Sequence, residues 1–176
     1  YVVVTSGLLK ELDKRELTGV IAHEMSHIAN YDIRVSMIVF GLVSAIGLIS
    51  DILLRTAFGA GRSDDDDSGS PYIYIVMIIV AILSPIIAAM IQLAVSRQRE
   101  YLADSSAALL TRDPEGLIMA LQKLDRSARP LQRQNTATAH MYIVNPLKKG
   151  LLNRLFSTHP SINDRIARLK KIGGQM

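Results

Sequence analysis

The 176-residue sequence predicts a mainly α fold with a small β element, interrupted by a two-helix transmembrane hairpin. Three observations predict it. Two long runs carry almost no charge, the segments around them repeat apolar residues at helical spacing behind capping residues, and the chain opens on the β-branched run Val2-Val3-Val4-Thr5.

The hairpin rests on length and composition. Val35 to Leu54 is 20 residues with one charge, Asp51, near its far end. As a helix it reaches roughly 30 Å, the thickness of a bilayer's hydrocarbon core. Pro71 to Ser96 has no Asp, Glu, Lys or Arg in 26 residues. The competing reading, two core helices of a soluble protein, fails on size, because a domain this small has too little interior to hide both. Gly41 with Ala45 and Ser84 with Ala88 are pairs of small residues that predict close helix approach. Pro85 predicts a kink in the second helix. The connector, residues 55–70, is acidic and reads as a flexible loop. Its Asp64 to Asp67 run lacks the spaced ligands and glycine of a calcium loop. The connector holds only two of the chain's 20 Lys and Arg, whereas Lys14, Arg15, Arg34, Arg97 and Arg99 flank the other ends. This asymmetry predicts that the flanking segments face the cytosol and the Asp run faces outward.

Outside the hairpin, residues 2–5 read as a short strand that ends at Ser6-Gly7. A helix starts near Asp13, with Glu16 in capping-box position, and continues to about Asn30. Asp113-Pro114 opens a helix over Glu115 to Ser127; residues 129–138 read as a loop and Met141 to Val144 as a second short strand. Ser161 and Asp164 cap a last helix, which ends in Arg168, Lys170, Lys171 and then Gly173-Gly174. The chain opens on Tyr1 rather than Met, and we read it as a piece of a longer protein.

Composition narrows the function classes. A mean hydropathy of +0.23 fits a membrane protein. The net charge is +4, and no cluster of basic and aromatic residues suggests nucleic-acid binding. The absence of cysteine excludes disulfides and thiolate metal ligands.

The informative motif is His23-Glu24-Met25-Ser26-His27. Histidines four apart on a helix share a face, so both imidazoles can reach one zinc ion, and Glu24 can reach a water beside it. Zinc lowers the pKa of such a water toward about 7 and polarises a substrate carbonyl. Glu24 is then the candidate general base. Two unrelated histidines around a surface Glu form the bland reading, which is weak in a chain with only four histidines. A catalytic zinc needs a third protein ligand. His27 lies eight residues before the first span and Glu100 four residues after the second, so an antiparallel hairpin returns Glu100 to the same membrane face. Asp104, one helical turn on, can fix the tautomer of a ligand histidine. Arg97 and Arg99 read either as anchors to lipid headgroups or as partners of Asp104 or Asp32. The predicted organisation is therefore a strand and zinc-binding helix over 1–34, the hairpin over 35–96, and a helical remainder over 97–176 that supplies the third ligand.

The stretches VTSGLL, ELTGVIAHEMSHIANYDI, SRQREYLADSSAALLT and STHPSINDRIARL carry a resemblance. The chain resembles the HtpX family of membrane zinc metalloproteases, in the superfamily that also holds the CAAX prenyl proteases. The resemblance implies a zincin-like domain. It also implies an integral membrane endopeptidase that cleaves damaged or misassembled membrane proteins at their cytosolic loops. It assigns the third ligand to Glu100 as the Glu of the family's E-x-x-x-D pattern, matches Asp104 to the Asp of that pattern, which supports a ligand without binding the metal, and brings His159 near the site, where it can stabilise the oxyanion. His140 has no such support and reads as structural. The strand at residues 2–5 can pair with an extended substrate backbone. A prenyl-peptide processing protease is the alternative with the same chemistry. A zinc-stabilised membrane scaffold is the alternative without turnover, and Glu24 argues against it, since a structural site needs no base.

Overall fold

The structure, a computed structural model, describes residues 3–60, 71–127 and 159–175. Six helices occur among the described residues, in order α1 (Ser6–Glu11), α2 (Lys14–Ala29), α3 (Asp32–Ala60), α4 (Pro71–Thr111), α5 (Pro114–Ser127) and α6 (Ile162–Gly173). They divide between two compact units, one formed by residues 1–33 and 96–176 and the other by 34–95.

The first unit is built around α2. Asp13 caps it with a complete capping box: Asp13 Oδ1 accepts from the Glu16 N–H at 2.9 Å, and Glu16 Oε2 accepts from the Asp13 N–H at 2.8 Å. Glu16 is buried despite its charge because Lys123 Nζ of α5 also donates to it, at 2.7 Å. Val20, Ala22 and Ser26 continue the buried face toward the C-terminus. Helix α5 packs against both α2 and α6. Leu117, Ile118 and Leu121 of α5 meet Val20 of α2 and Leu169 of α6 in one apolar core. The crossing with α2 is close enough to require glycine: a Cβ on Gly19 would lie 2.8 Å from the Leu117 nitrogen. The Arg15 guanidinium donates to both oxygens of Asp113, at 2.5 and 2.6 Å, and ties the start of α2 to the start of α5. Among the described residues, left-handed Tyr31 (φ 54°) separates α2 from α3 and left-handed Arg112 (φ 53°) separates α4 from α5. Asp113 Oδ1 accepts from the Gly116 N–H, and Ser161 Oγ accepts from the Asp164 N–H, so both helices start where the sequence predicts.

The second unit consists of the apolar parts of α3 and α4, and each helix is long and apolar enough to cross a membrane. Its outward face is unlike that of a water-soluble domain: Phe40, Leu48, Ile52, Phe58 and Ile86 are all exposed. Its buried positions are small, Ser50 and Ala57 on α3 and Ala81 and Ala88 on α4, in pairs spaced by seven residues along one helix face.

The structure departs from some expectations, and others fall outside its described residues. No strand occurs among the described residues. Val3 and Val4 have no regular structure, and Thr5 is instead the N-cap of α1, its Oγ1 accepting from the Leu8 N–H at 3.2 Å. The second strand, at 141–144, lies outside the described residues, as do the loop at 129–138, His140 and the Asp run. The connector is shorter than residues 55–70, because α3 continues to Ala60 and Arg55 pairs with Asp51 one turn back, at 2.7 Å. Gly41 and Ala45 face outward, and nothing lies within 4 Å of where a Gly41 Cβ would be. Gly174 caps α6 at φ −76°, so the left-handed freedom of glycine is not used there.

Candidate metal centre

Three elements of the first unit bring the site together. Helix α2 supplies His23, Glu24 and His27, α4 supplies Glu100 and Asp104, and the segment leading into α6 supplies His159. The two imidazoles sit one turn apart, with ring centroids separated by 4.6 Å and planes at 85°.

The nitrogens and oxygens of His23, His27 and Glu100 converge. His23 Nε2 lies 3.1 Å from His27 Nε2 and 3.6 Å from Glu100 Oε2, and His27 Nε2 lies 3.7 Å from Glu100 Oε1. Donors placed tetrahedrally around an ion at about 2.0 to 2.2 Å are separated from one another by about 3.3 to 3.6 Å. The spacing therefore fits a metal ion bound by these three residues.

The far nitrogens strengthen the fit. His23 Nδ1 is 3.0 Å from Asp104 Oδ1, and His27 Nδ1 is 2.5 Å from Asp32 Oδ2. A carboxylate at Nδ1 keeps the proton on that nitrogen and leaves a lone pair on Nε2. Two Nε2 lone pairs and a carboxylate facing one another repel unless a cation lies between them.

Electrostatics agree with a buried, charged cluster. Burial favours protonation of Glu100, but hydrogen bonds from His159 and His23 and the Arg165 charge outweigh it and hold the carboxyl well below the usual range. Burial likewise opposes ionisation of Asp104, and its bonds to His23 and Arg165 prevail and lower its pKa. Burial disfavours charge on His23, yet Asp104 and Glu100 raise its pKa. His27 is lowered, by burial first and by His23 second. Both carboxyl groups are thus ionised at neutral pH.

Glu24 is exposed on the same turn as His23, and its charge acts on both His27 and Arg165. His159 is half-buried, with Nδ1 3.2 Å from Glu100 Oε1. All six residues singled out in the sequence are therefore in one unit, and five make direct contacts with one another.

Two residues escaped the sequence reading of the site. Arg165 of α6 is 1% exposed and donates through Nε and one terminal nitrogen to both oxygens of Asp104, at 2.8 and 2.7 Å. Its other terminal nitrogen lies 3.6 Å from Glu100 Oε2. A signal was present, since Arg165 occupies the same helix face as Ile162 and Leu169, where an apolar residue is expected. The sequence offers Asp32 as a partner of Arg97 or Arg99 but not of His27. As the first residue of a helix it reads as a favourable charge at the dipole, which conceals any other role.

The chain matches the family model described as peptidase family M48 over residues 1–173. It is 54% identical over 99% of its length to a protein named protease HtpX homolog from Tropheryma whipplei (strain Twist). Proteins of the same name from Dictyoglomus thermophilum and Streptococcus gordonii are 51% and 49% identical over 98% and 97% of it. The chain spans 56 to 59% of the length of these relatives. No solved structure matches it. With the match reaching from the first residue into the last helix, the chain belongs to peptidase family M48.

Proposed function

We propose that the chain is the catalytic part of a membrane-embedded zinc metalloendopeptidase. The observation that carries this reading is the convergence of His23 Nε2, His27 Nε2 and the Glu100 carboxylate, with Glu24 exposed on the adjoining turn. Zinc suits this set of two imidazoles and one carboxylate, and when bound it supplies Lewis acidity toward a peptide carbonyl and acidifies a water.

The protein's residues do the rest. His23, His27 and Glu100 would hold the ion, with Glu24 exposed on the same helical turn as His23. Glu24 takes a proton from the attacking water and delivers it to the leaving amine. Asp104 fixes the His23 tautomer, and Arg165 fixes Asp104. His159 stands beside Glu100, where its imidazole can donate to the developing oxyanion.

The substrates we infer are misfolded or damaged membrane proteins, cut at the cytosolic face as part of membrane quality control under stress. Support comes from the position of the site in the sequence: His27 precedes the first apolar run by eight residues and Glu100 follows the second by four. A site so close to two membrane helices suits substrates that are themselves tethered to the bilayer. The Lys and Arg bias around the hairpin supports the cytosolic orientation.

The test is degradation of a model membrane protein by the full-length protein in detergent or vesicles. Cleavage should stop on chelation and return when zinc is added. Cleavage that survives complete metal removal contradicts the proposal.

A further inference from the structure

Each imidazole of the centre has a carboxylate at its far nitrogen, and each of those carboxylates has an arginine behind it. For His23 the pair is Asp104 and Arg165. For His27 it is Asp32 and Arg99. We propose that Asp32 and Arg99 form a positioning pair that orients His27 for metal binding and couples its ring to the helix that carries Glu100. This inference rests on the reading of His27 and Glu100 as zinc ligands.

The geometry is specific. Asp32 is 8% exposed, and its two oxygens have different tasks. Oδ2 accepts from His27 Nδ1 at 2.5 Å, and Oδ1 accepts from the Arg99 guanidinium. The same Arg99 nitrogen donates to the Asn30 carbonyl at 2.5 Å. Asn30 is the C-cap of α2 and Asp32 the first residue of α3, with left-handed Tyr31 between them. One guanidinium therefore clasps both sides of the turn that follows His27. Arg99 directly precedes Glu100 in α4, so one turn of that helix supplies both the candidate ligand and the clasp for the neighbouring one.

A plain structural reading is that Asp32 only complements the α3 dipole and Arg99 only anchors to lipid headgroups. A carboxylate serving the dipole gains from the first-turn N–H groups and needs no buried partner. Here it is turned toward an imidazole on one side and a guanidinium on the other. An arginine serving headgroups extends outward, whereas Arg99 is largely buried, with its side chain 21% exposed. The recurrence of the same carboxylate–guanidinium arrangement behind His23 is independent support, because a different helix supplies each part of it.

The consequence for binding is direct. With the Asp32 side chain set against Nδ1, the His27 lone pair is held on Nε2, aimed between His23 and Glu100. An amide at position 32 can turn its NH2 toward the ring and favour the other tautomer. Loss of the guanidinium leaves Asp32 free to rotate.

The test measures zinc affinity of the whole chain in detergent by competition with a chromophoric chelator, alongside the visible spectrum of the cobalt-substituted protein and its circular dichroism. The parent should bind one zinc per chain. Asp32→Asn should weaken zinc about 10 to 100-fold and shift the cobalt bands while the helical signal is retained. Arg99→Gln should produce the same changes to a smaller degree, and Arg99→Lys should recover part of the loss. If Asp32→Asn fails to fold, the two Arg99 variants decide alone. Parental zinc affinity and an unchanged cobalt spectrum in folded Asp32→Asn, or in both Arg99 variants, overturn the positioning role. A parent that binds no zinc overturns the metal-site reading itself, which is a different failure and is seen before any variant is made.

Discussion

Arg165 lies on the face of α6 that also carries Ile162 and Leu169, and it is almost completely removed from solvent. Burying a guanidinium is tolerated only with charged partners at good geometry. Asp104 provides them through a two-pronged contact, and Glu100 adds a second negative charge nearby. Removing the arginine takes one cationic partner from two buried carboxylates, Asp104 and Glu100. Arg165→Met, similar in length and uncharged, is expected to destabilise the protein by about 3 to 5 kcal/mol, read as a lowered thermal midpoint in detergent, and to weaken zinc binding. An unchanged midpoint shows that the pair contributes nothing net. Sequence reasoning reached His23, His27 and Glu24 through one local spacing, and Glu100 because the two apolar runs fix where the chain returns. It did not reach Arg165, which lies 61 residues beyond Asp104, because no local pattern records a pairing over that distance.

At the scale of elements, the crossing of α2 and α5 determines how firmly the histidine helix is held. Gly19 stands one helical turn before His23 and presses against the Leu117 backbone. A methyl group there must push α2 and α5 apart. Gly19→Ala is expected to cost about 1 to 3 kcal/mol and to weaken zinc, whereas Gly41→Ala, with open space around it, is expected to leave both unchanged. Thermal melts and chelator competition on the two variants check this, and equal behaviour contradicts it. The caps of α2, α5 and α6 were legible because capping is local chemistry, written in Asp13 with Glu16, Asp113-Pro114 and Ser161. Helix α1 was not, because six residues hold too little period to be recognised and Val2 to Thr5 suggests a strand. The small residues that are buried in the hairpin are Ser50, Ala57, Ala81 and Ala88. The Gly41 and Ala45 pair was misleading because small residues on an apolar helix permit close contact without specifying which face makes it.

For the whole molecule, the apolar runs decide the organisation, and composition alone made them visible. Both lie inside long helices whose large side chains face outward. The cytosolic orientation is a prediction from charge asymmetry. The chain has no cysteine, so single cysteines can be introduced without background. A cysteine at position 68 should react with an impermeant thiol reagent in intact cells. Cysteines replacing Ser6 or Ala167, both exposed in the first unit, should react only after lysis. Labelling of all three in intact cells rules out this topology.

The central claim is that His23, His27 and Glu100 hold zinc and that Glu24 works beside it without holding it. Elemental analysis of purified parent, Glu24→Gln and Glu100→Ala, paired with a cleavage assay, separates these roles most directly. The parent is expected to carry one zinc per chain and to cleave. Glu24→Gln is expected to keep the zinc and lose cleavage, and Glu100→Ala to lose both. Glu100→Ala that binds zinc as tightly as the parent, or Glu24→Gln that still cleaves at more than a few per cent of the parental rate, contradicts the assignment.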